Sequence, residues 1–244
     1  MDEFLLNGKT ILVTGASSGI GRKAAIMISR SNGNVFVTGR DVTRLEDTFS
    51  KLETGDHGMM VADLTRDDEM DALIADLPKL DGIVHCAGIV GPLPVKFITQ
   101  ADIDRMFAIN YHVPVNLTGK ILRKKKLSEP ASIVFMSTIA TRNPYFGGAL
   151  YSGSKAALEA YSRTLSLELL SKGIRSNCIQ AGLVETPMIE SPAENNMQQE
   201  ALERYLKRYP LGIGKPEDVA GAILFFLSDA SRWITGTNLI MGGE

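Results

Sequence analysis

Cysteine is nearly missing from this chain, with only Cys86 and Cys178 among 244 residues. Neither has metal-ligand spacing to the other or to His57, His85 and His112, which argues against a disulfide framework and a zinc site. Long apolar runs are missing too, and a stretch such as residues 222–227 is far too short to span a bilayer. The amino terminus begins acidic, with no basic segment leading into an apolar one, so no signal peptide is read there. Charge of one sign is not in excess: the formal net charge is −2, which marks neither a nucleic-acid binder nor an anionic-membrane binder. Internal repeats, low-complexity tracts and linkers are not found. These absences give the expectation of a metal-free cytoplasmic protein whose partners are neither nucleic acid nor membrane.

What is present is a globular balance, 44% hydrophobic and 22% charged, that can support one large core. Short β-branched runs alternate with helical stretches. Strands are expected at residues 9–14, 34–38, 58–62, 82–85, 132–136, 175–179 and 238–241. Helices are expected at 22–28, 43–52, 67–76, 102–123, from Tyr151 to about residue 170, and at 216–227, where Pro216 opens the first turn. Strand after helix after strand implies parallel pairing through right-handed crossovers. The expected fold class is therefore α/β, a single Rossmann-type doubly wound parallel sheet with helices on both faces, occupying 1–244 as one domain. Residues 191–196 have turn-like composition and 197–207 suit a short amphipathic helix, so 188–208 is expected to be a lid over a substrate.

Ligands in such sheets bind beyond the carboxyl ends of the strands. The first strand runs into GASSGIG, which puts Gly15, Gly19 and Gly21 on a strand-to-helix turn where backbone amides can meet a pyrophosphate. The second strand ends in Gly39, Arg40 and Asp41. A carboxylate near this point usually holds the ribose hydroxyls of NAD, whereas the guanidinium fork of Arg40 suits a 2′-phosphate. Asp41 also reads as the N-cap of the next helix, and the expected cofactor is NADP(H) in preference to NAD(H). Further strand ends carry Asp63 and the segment His85-Cys86-Ala87-Gly88, whose small residues let backbone approach a cofactor.

Tyr151 and Lys155 stand four residues apart at the start of a long helix, hence on one face. A neighbouring cation favours phenolate and lowers a phenol pKa that starts near about 10, making Tyr151 a candidate proton donor. Asn110 is a polar amide within an apolar helix and must be hydrogen-bonded to be tolerated there. Pro114 should bend that helix or disturb its bonding nearby. Ser137 and Thr138 place hydroxyls just upstream of Tyr151, where one could donate to a substrate carbonyl or both could be turn residues.

In this order the pieces resemble the classical short-chain dehydrogenase/reductase family nearly end to end. The likeness is carried by Thr14-Gly15-Ala16-Ser17-Ser18-Gly19-Ile20-Gly21, Asp63-Leu64, Asn110, Tyr151 with Lys155, and the tail PEDVAGAILFFLSDASRWITGTNLIMGG. The carboxyl-terminal half is similar to 3-oxoacyl-carrier-protein reductases, a likeness that spans much of the family. The resemblance implies NAD(P)(H)-dependent oxidoreduction of a carbonyl or alcohol. It implies Tyr151 as general acid–base, Lys155 holding the nicotinamide ribose, Asn110 supporting a water in the proton relay, and a hydroxyl orienting the carbonyl. That hydroxyl lies thirteen residues before the tyrosine, which here is Thr138 and not Ser137. Cofactor contacts are implied at Gly15, Ser17, Ser18, Gly19, Ile20, Gly21, Arg40, Asp63, Leu64, Cys86, Ala87, Gly88, Tyr151, Lys155, Val184 and Thr186.

The chain departs from the family pattern in four places. Threonine replaces serine at 138, His85-Cys86 replaces Asn-Asn, Ala181 replaces proline before Gly182, and Pro114 follows Asn110 closely. None removes a proton donor. The expected activity is reduction of a ketone with Tyr151 as general acid. The alternatives are an NAD-dependent alcohol or sugar dehydrogenase, and a cofactor-binding regulatory or scaffold protein with impaired catalysis. The helix after Tyr151 carries small and apolar residues around much of its circumference, so a homo-oligomer, dimer or tetramer, is expected.

Overall fold

The structure is a computed structural model, and it describes residues 2–188 and 211–242. The helix expected at 197–207 and nearly all of the expected lid at 188–208 lie outside those residues. Among the described residues, seven strands form one sheet: β1 (Thr10–Thr14), β2 (Asn34–Gly39), β3 (Gly58–Val61), β4 (Leu80–His85), β5 (Leu127–Thr138), β6 (Ile174–Ala181) and β7 (Asn238–Met241). Their spatial order is β3-β2-β1-β4-β5-β6-β7, and every neighbouring pair is parallel. The order reverses between β1 and β4, the topological switch point at which sheets of this kind bind ligands.

Helices cover both faces. On one, α1 (Gly19–Arg30), α2 (Val42–Phe49) and α7 (Pro216–Leu227) bury Ala24, Ile28, Leu45, Ile223 and Phe226 against Val13, Val37, Val84 and Val134. On the other, α3 (Asp67–Asp76), α5 (Val113–Arg123) and α6 (Ala149–Glu168) bury Leu73, Leu117, Leu158 and Leu165 against Leu12, Ile83, Ile133 and Phe135. The central strands are apolar on both faces because both are covered.

The stretch 102–123 departs from the expected single helix. It divides into α4 (Gln100–Phe107), a π-helical turn (Ala108–His112) and α5. Pro114 has no N–H to donate to the Asn110 carbonyl four residues back, and its ring would crowd that carbonyl in an α-helix. The chain widens into the π turn instead, with the Val113 amide reaching the Ala108 carbonyl. At the first glycine motif, Gly19 and Gly21 already belong to the first turn of α1, so the turn is tighter than the spacing suggested. β5 begins earlier than expected, at Leu127, which pairs with Leu80; residues 128–131 then bulge away from β4 before Ser132 pairs with Gly82, so Pro130 leaves no bond to β4 unmade.

Candidate active site

The glycine turn is built by close backbone approach. Gly15 has φ +65°, and a Cβ on it would lie 2.7 Å from the Ala87 amide nitrogen. A Cβ on Gly21 would lie 2.4 Å from the Gly15 carbonyl oxygen. The Thr14 hydroxyl accepts from the Ala87 amide at 3.2 Å and fixes the segment after β4 beside the turn. Ser18 caps α1 with no side-chain hydrogen bond. The first amides of α1 therefore point, without intrahelical acceptors, into a cleft of about 410 Å³.

That cleft is lined by Gly15, Ser17, Ser18, Gly19, Ile20 and Gly21, by Arg40, Asp63 and Leu64, by Cys86, Ala87 and Gly88, and by Thr186. Asp41, Arg44 and Thr65 line it as well. Arg44 lies on the first turn of α2, which begins after Arg40, so only the fold brings the two guanidinium groups to one cleft. Asp41 is engaged elsewhere: one carboxylate oxygen accepts from the Arg44 amide at 3.0 Å as the N-cap of α2, and the other lies 3.4 Å from the Arg44 Nε. Burial pushes the Asp63 carboxyl up, but the Thr65 hydroxyl and amide and the charges of Arg40 and Arg66 outweigh it and hold the carboxyl below its ordinary range. Burial pushes the Cys86 thiol up to about 12, so it faces the cleft as a neutral group.

Three expected residues do not line this cleft. Val184 is buried in the apolar cluster with Val219 and Ala220, its backbone bridged to Gly214, because it packs beneath the chain that carries Thr186 to the cleft. Tyr151 and Lys155 are not among the lining residues, but the Lys155 ammonium reaches Gly88, which is. A Cβ on Gly88 would lie 3.2 Å from Asn110 Oδ1 and 3.4 Å from Lys155 Nζ, so the π turn and α6 converge on that bare glycine.

Each of these groups is held. Asn110 Oδ1 accepts from the Ile89 amide at 2.9 Å, while Nδ2 donates to the Ile89 carbonyl at 3.0 Å and to Ser154 Oγ at 3.1 Å. The buried amide is thus satisfied and ties the π turn to α6. Ser154, three residues beyond Tyr151, is a partner that the sequence reading did not single out. Lys155 Nζ donates to the Met136 carbonyl at 2.8 Å. Burial pulls its ammonium pKa down to about 8, with small opposing effects from Cys86 and Cys178. Thr138 Oγ1 accepts from the Ala140 amide at 3.2 Å, which leaves its own proton for another acceptor. Ser137 points the other way and gives its hydroxyl proton to Glu159. Tyr151 is half-buried on the first turn of α6. Beside it, Val95, Tyr145, Phe146, Gly148 and Ser152 line a second, mainly apolar cavity of about 520 Å³.

A parallel sheet with an uncapped helix and a glycine turn at its switch point defines a dinucleotide-binding α/β protein. A family model described as enoyl-(acyl carrier protein) reductase matches residues 15–243. The 3-oxoacyl-(acyl-carrier-protein) reductase FabG of Rickettsia felis is 31% identical over 239 residues, covering 98% of this chain and 97% of the relative. Its namesake from Rickettsia prowazekii is 32% identical over 241 residues, again covering 98% and 97%. Among solved structures, a dehydrogenase/reductase from Sinorhizobium meliloti matches with a TM-score of 0.90 at 29% identity, covering 99% of this chain and 97% of that one. A 7α-hydroxysteroid dehydrogenase complexed with NADH and 7-oxo glycochenodeoxycholic acid also matches at 0.90, with 27% identity, covering 99% and 96%. The chain belongs to the short-chain dehydrogenase/reductase family and resembles its FabG-like members. It is an NAD(P)-dependent oxidoreductase acting on C=O or CH–OH groups.

Proposed function

We propose that this protein is an NADP(H)-dependent reductase of a small-molecule ketone, with 1–244 acting as one cofactor-binding domain and Tyr151 as its general acid. The observation that carries the reading is the meeting of Asn110 and the Lys155 ammonium at Gly88, which lines a cleft floored by the unpartnered amides of α1. The residues fit a dinucleotide: the amides of residues 19–21 suit a pyrophosphate, and Arg40 with Arg44 suits a 2′-phosphate. The α2 cap keeps Asp41 from serving as the ribose carboxylate of an NAD site. A nicotinamide ring bound in the cleft supplies the hydride.

In this reading the Thr138 hydroxyl donates a hydrogen bond to the substrate carbonyl and orients it, keeping its own proton. Tyr151 protonates the same oxygen as negative charge develops there. Lys155 holds the nicotinamide ribose and favours the phenolate that remains, so the same phenol accepts a proton in the reverse direction. Asn110 fixes the Ile89 segment and supports the water that returns the proton. The apolar cavity at Val95, Tyr145 and Phe146 favours a ketone with a hydrocarbon body. The matching family model is named for an enoyl C=C bond and the Rickettsia relatives for a 3-oxoacyl C=O, so the assay includes acyl substrates of both kinds. A homo-oligomer joined through the outer face of α6 belongs to the same proposal.

The test is a ketone panel assayed with NADPH and with NADH. Tyr151→Phe should lower turnover by at least about 10³-fold while cofactor binding stays within about threefold of wild type. Undiminished turnover would remove Tyr151 from the mechanism, and activity confined to alcohol oxidation with NAD would favour the dehydrogenase alternative.

A further inference from the structure

Glu159 is buried on α6, two turns beyond Tyr151, and the mechanism above makes no use of it. Among the described residues it makes no ion pair. Its partners are neutral donors from three strand ends and a turn. Oε1 accepts from the Ser137 hydroxyl, lies 3.0 Å from Thr141 Oγ1 and accepts from Gln180 Nε2 at 2.8 Å. Oε2 accepts from Asn238 Nδ2 at 3.0 Å. The amides of Gln180 and Asn238 both turn their NH₂ groups to this carboxylate and leave Oε1 and Oδ1 of their own without partners among the described residues. Unpaired buried oxygens are costly, so the carboxylate dictates both orientations.

The donors sit beside the reacting groups. Ser137 adjoins Thr138 at the end of β5. The Thr141 hydroxyl has one proton for two acceptors at 3.0 Å, Glu159 Oε1 and the Thr138 carbonyl. Thr138 therefore has Glu159 attached on both sides of it in sequence, and Glu159 rides on the helix that carries Tyr151 and Lys155. We infer that Glu159 is a positioning residue: its carboxylate ties the end of β5 to α6 and so sets the Thr138 hydroxyl in place relative to the Tyr151 phenol. The inference rests on the ketone-reductase reading for its kinetic consequence, though its geometric content stands apart from that reading.

The experiment compares Glu159→Leu with Glu159→Gln, alone and with Thr138→Ala. Glutamine keeps an acceptor for Ser137, Thr141 and Gln180, and its NH₂ can meet Asn238 Oδ1 once that amide turns over. Misplacement of a reacting group by about 1 Å costs on the order of 10²-fold. Glu159→Leu should therefore lower kcat about 10- to 100-fold, and Glu159→Gln should recover most of that loss. Because Glu159 acts through Thr138, adding Glu159→Leu to Thr138→Ala should cost less than about threefold more. Losses that multiply in the double variant would overturn the inference, as would a Glu159→Leu crystal structure with the Thr138 hydroxyl unmoved relative to Tyr151. If wild type reduces no ketone with either cofactor, the ketone-reductase reading fails by itself, and the crystal structure alone decides the role of Glu159.

Discussion

Two arginines and two carboxylates, Arg40, Arg44, Asp41 and Asp63, line the same cleft, and their partners bear on which cofactor they can serve. Asp41 spends both oxygens on Arg44, one on its amide and one on its guanidinium edge. Asp63 has its carboxyl held below the ordinary range by Thr65 and the nearby arginine charges, and lines the same cleft. Arg40 is exposed at the rim and makes no ion pair among the described residues. A 2′-phosphate would meet that guanidinium, whereas a 2′-hydroxyl would gain little from it. Arg40→Ala should weaken NADPH at least about tenfold and NADH less than about threefold, roughly 1.4 kcal/mol of discrimination in a fluorescence titration. Equal losses for the two cofactors would remove Arg40 from the phosphate site. Asp41→Ala should cost about 1 kcal/mol of stability as a lost cap, with NADH affinity unchanged; a large loss of NADH would mean the carboxylate leaves its cap to bind ribose.

The elements that hold the site differ in how much space they leave. Gly21 is committed to the strand–helix turn, where a methyl group would strike the Gly15 carbonyl, while a Cβ on Gly221 in α7 meets nothing within 4 Å. Gly21→Ala should destabilise by more than about 2 kcal/mol, whereas Gly221→Ala should stabilise by about 0.5–1 kcal/mol through helix propensity. Thermal unfolding of the two variants checks both, and a neutral Gly21→Ala would mean the turn can relax. This turn was legible in the sequence because a β-branched strand, spaced glycines and a helix leave few other conformations. The alternation of elements, and with it the doubly wound sheet, was legible for the same reason. Other features depend on chain segments far apart. Pro114 announced a disturbance near Asn110, but only the converging Ile89 and Ser154 explain why the amide accepts burial at a π turn. Glu159 reads as one charge on a helix surface, and nothing local reveals that Ser137, Gln180 and Asn238 close over it. Val184 and Thr186 were both implied by the family resemblance, yet Val184 is buried in the apolar core and only Thr186 lines the cleft.

At the scale of the whole molecule, two buried bases make folding stability a function of pH. His85 stacks on Phe135 with ring centroids 4.7 Å apart, and its Nε2 lies 2.9 Å from Thr118 Oγ1. Burial, aided by the charge of Lys155, pulls its pKa from 6.5 to about 3. Burial likewise pulls Lys155 from 10.5 to about 8. Both folded pKa values lie below the unfolded ones, so between each pair of values the unfolded chain binds more protons than the folded one. Stability must then rise with pH across each interval, by up to about 1.4 kcal/mol per pH unit for each group. His85 acts between about pH 3 and 6.5, and its charged form opposes folding fully only below that interval. Lys155 acts between about pH 8 and 10.5, and the strain of burying its ammonium is present in full below pH 8. The site thus keeps a cation where the fold would be more stable without one, consistent with a group retained for chemistry and not for packing. Denaturant unfolding followed from pH 4 to pH 10 should show His85→Asn flattening the acid slope alone and Lys155→Met flattening the alkaline slope alone. Lys155→Met should also raise stability at pH 7. A wild-type profile level above pH 8, or one unaltered by Lys155→Met, would mean that burial does not disfavour the Lys155 ammonium in the folded chain.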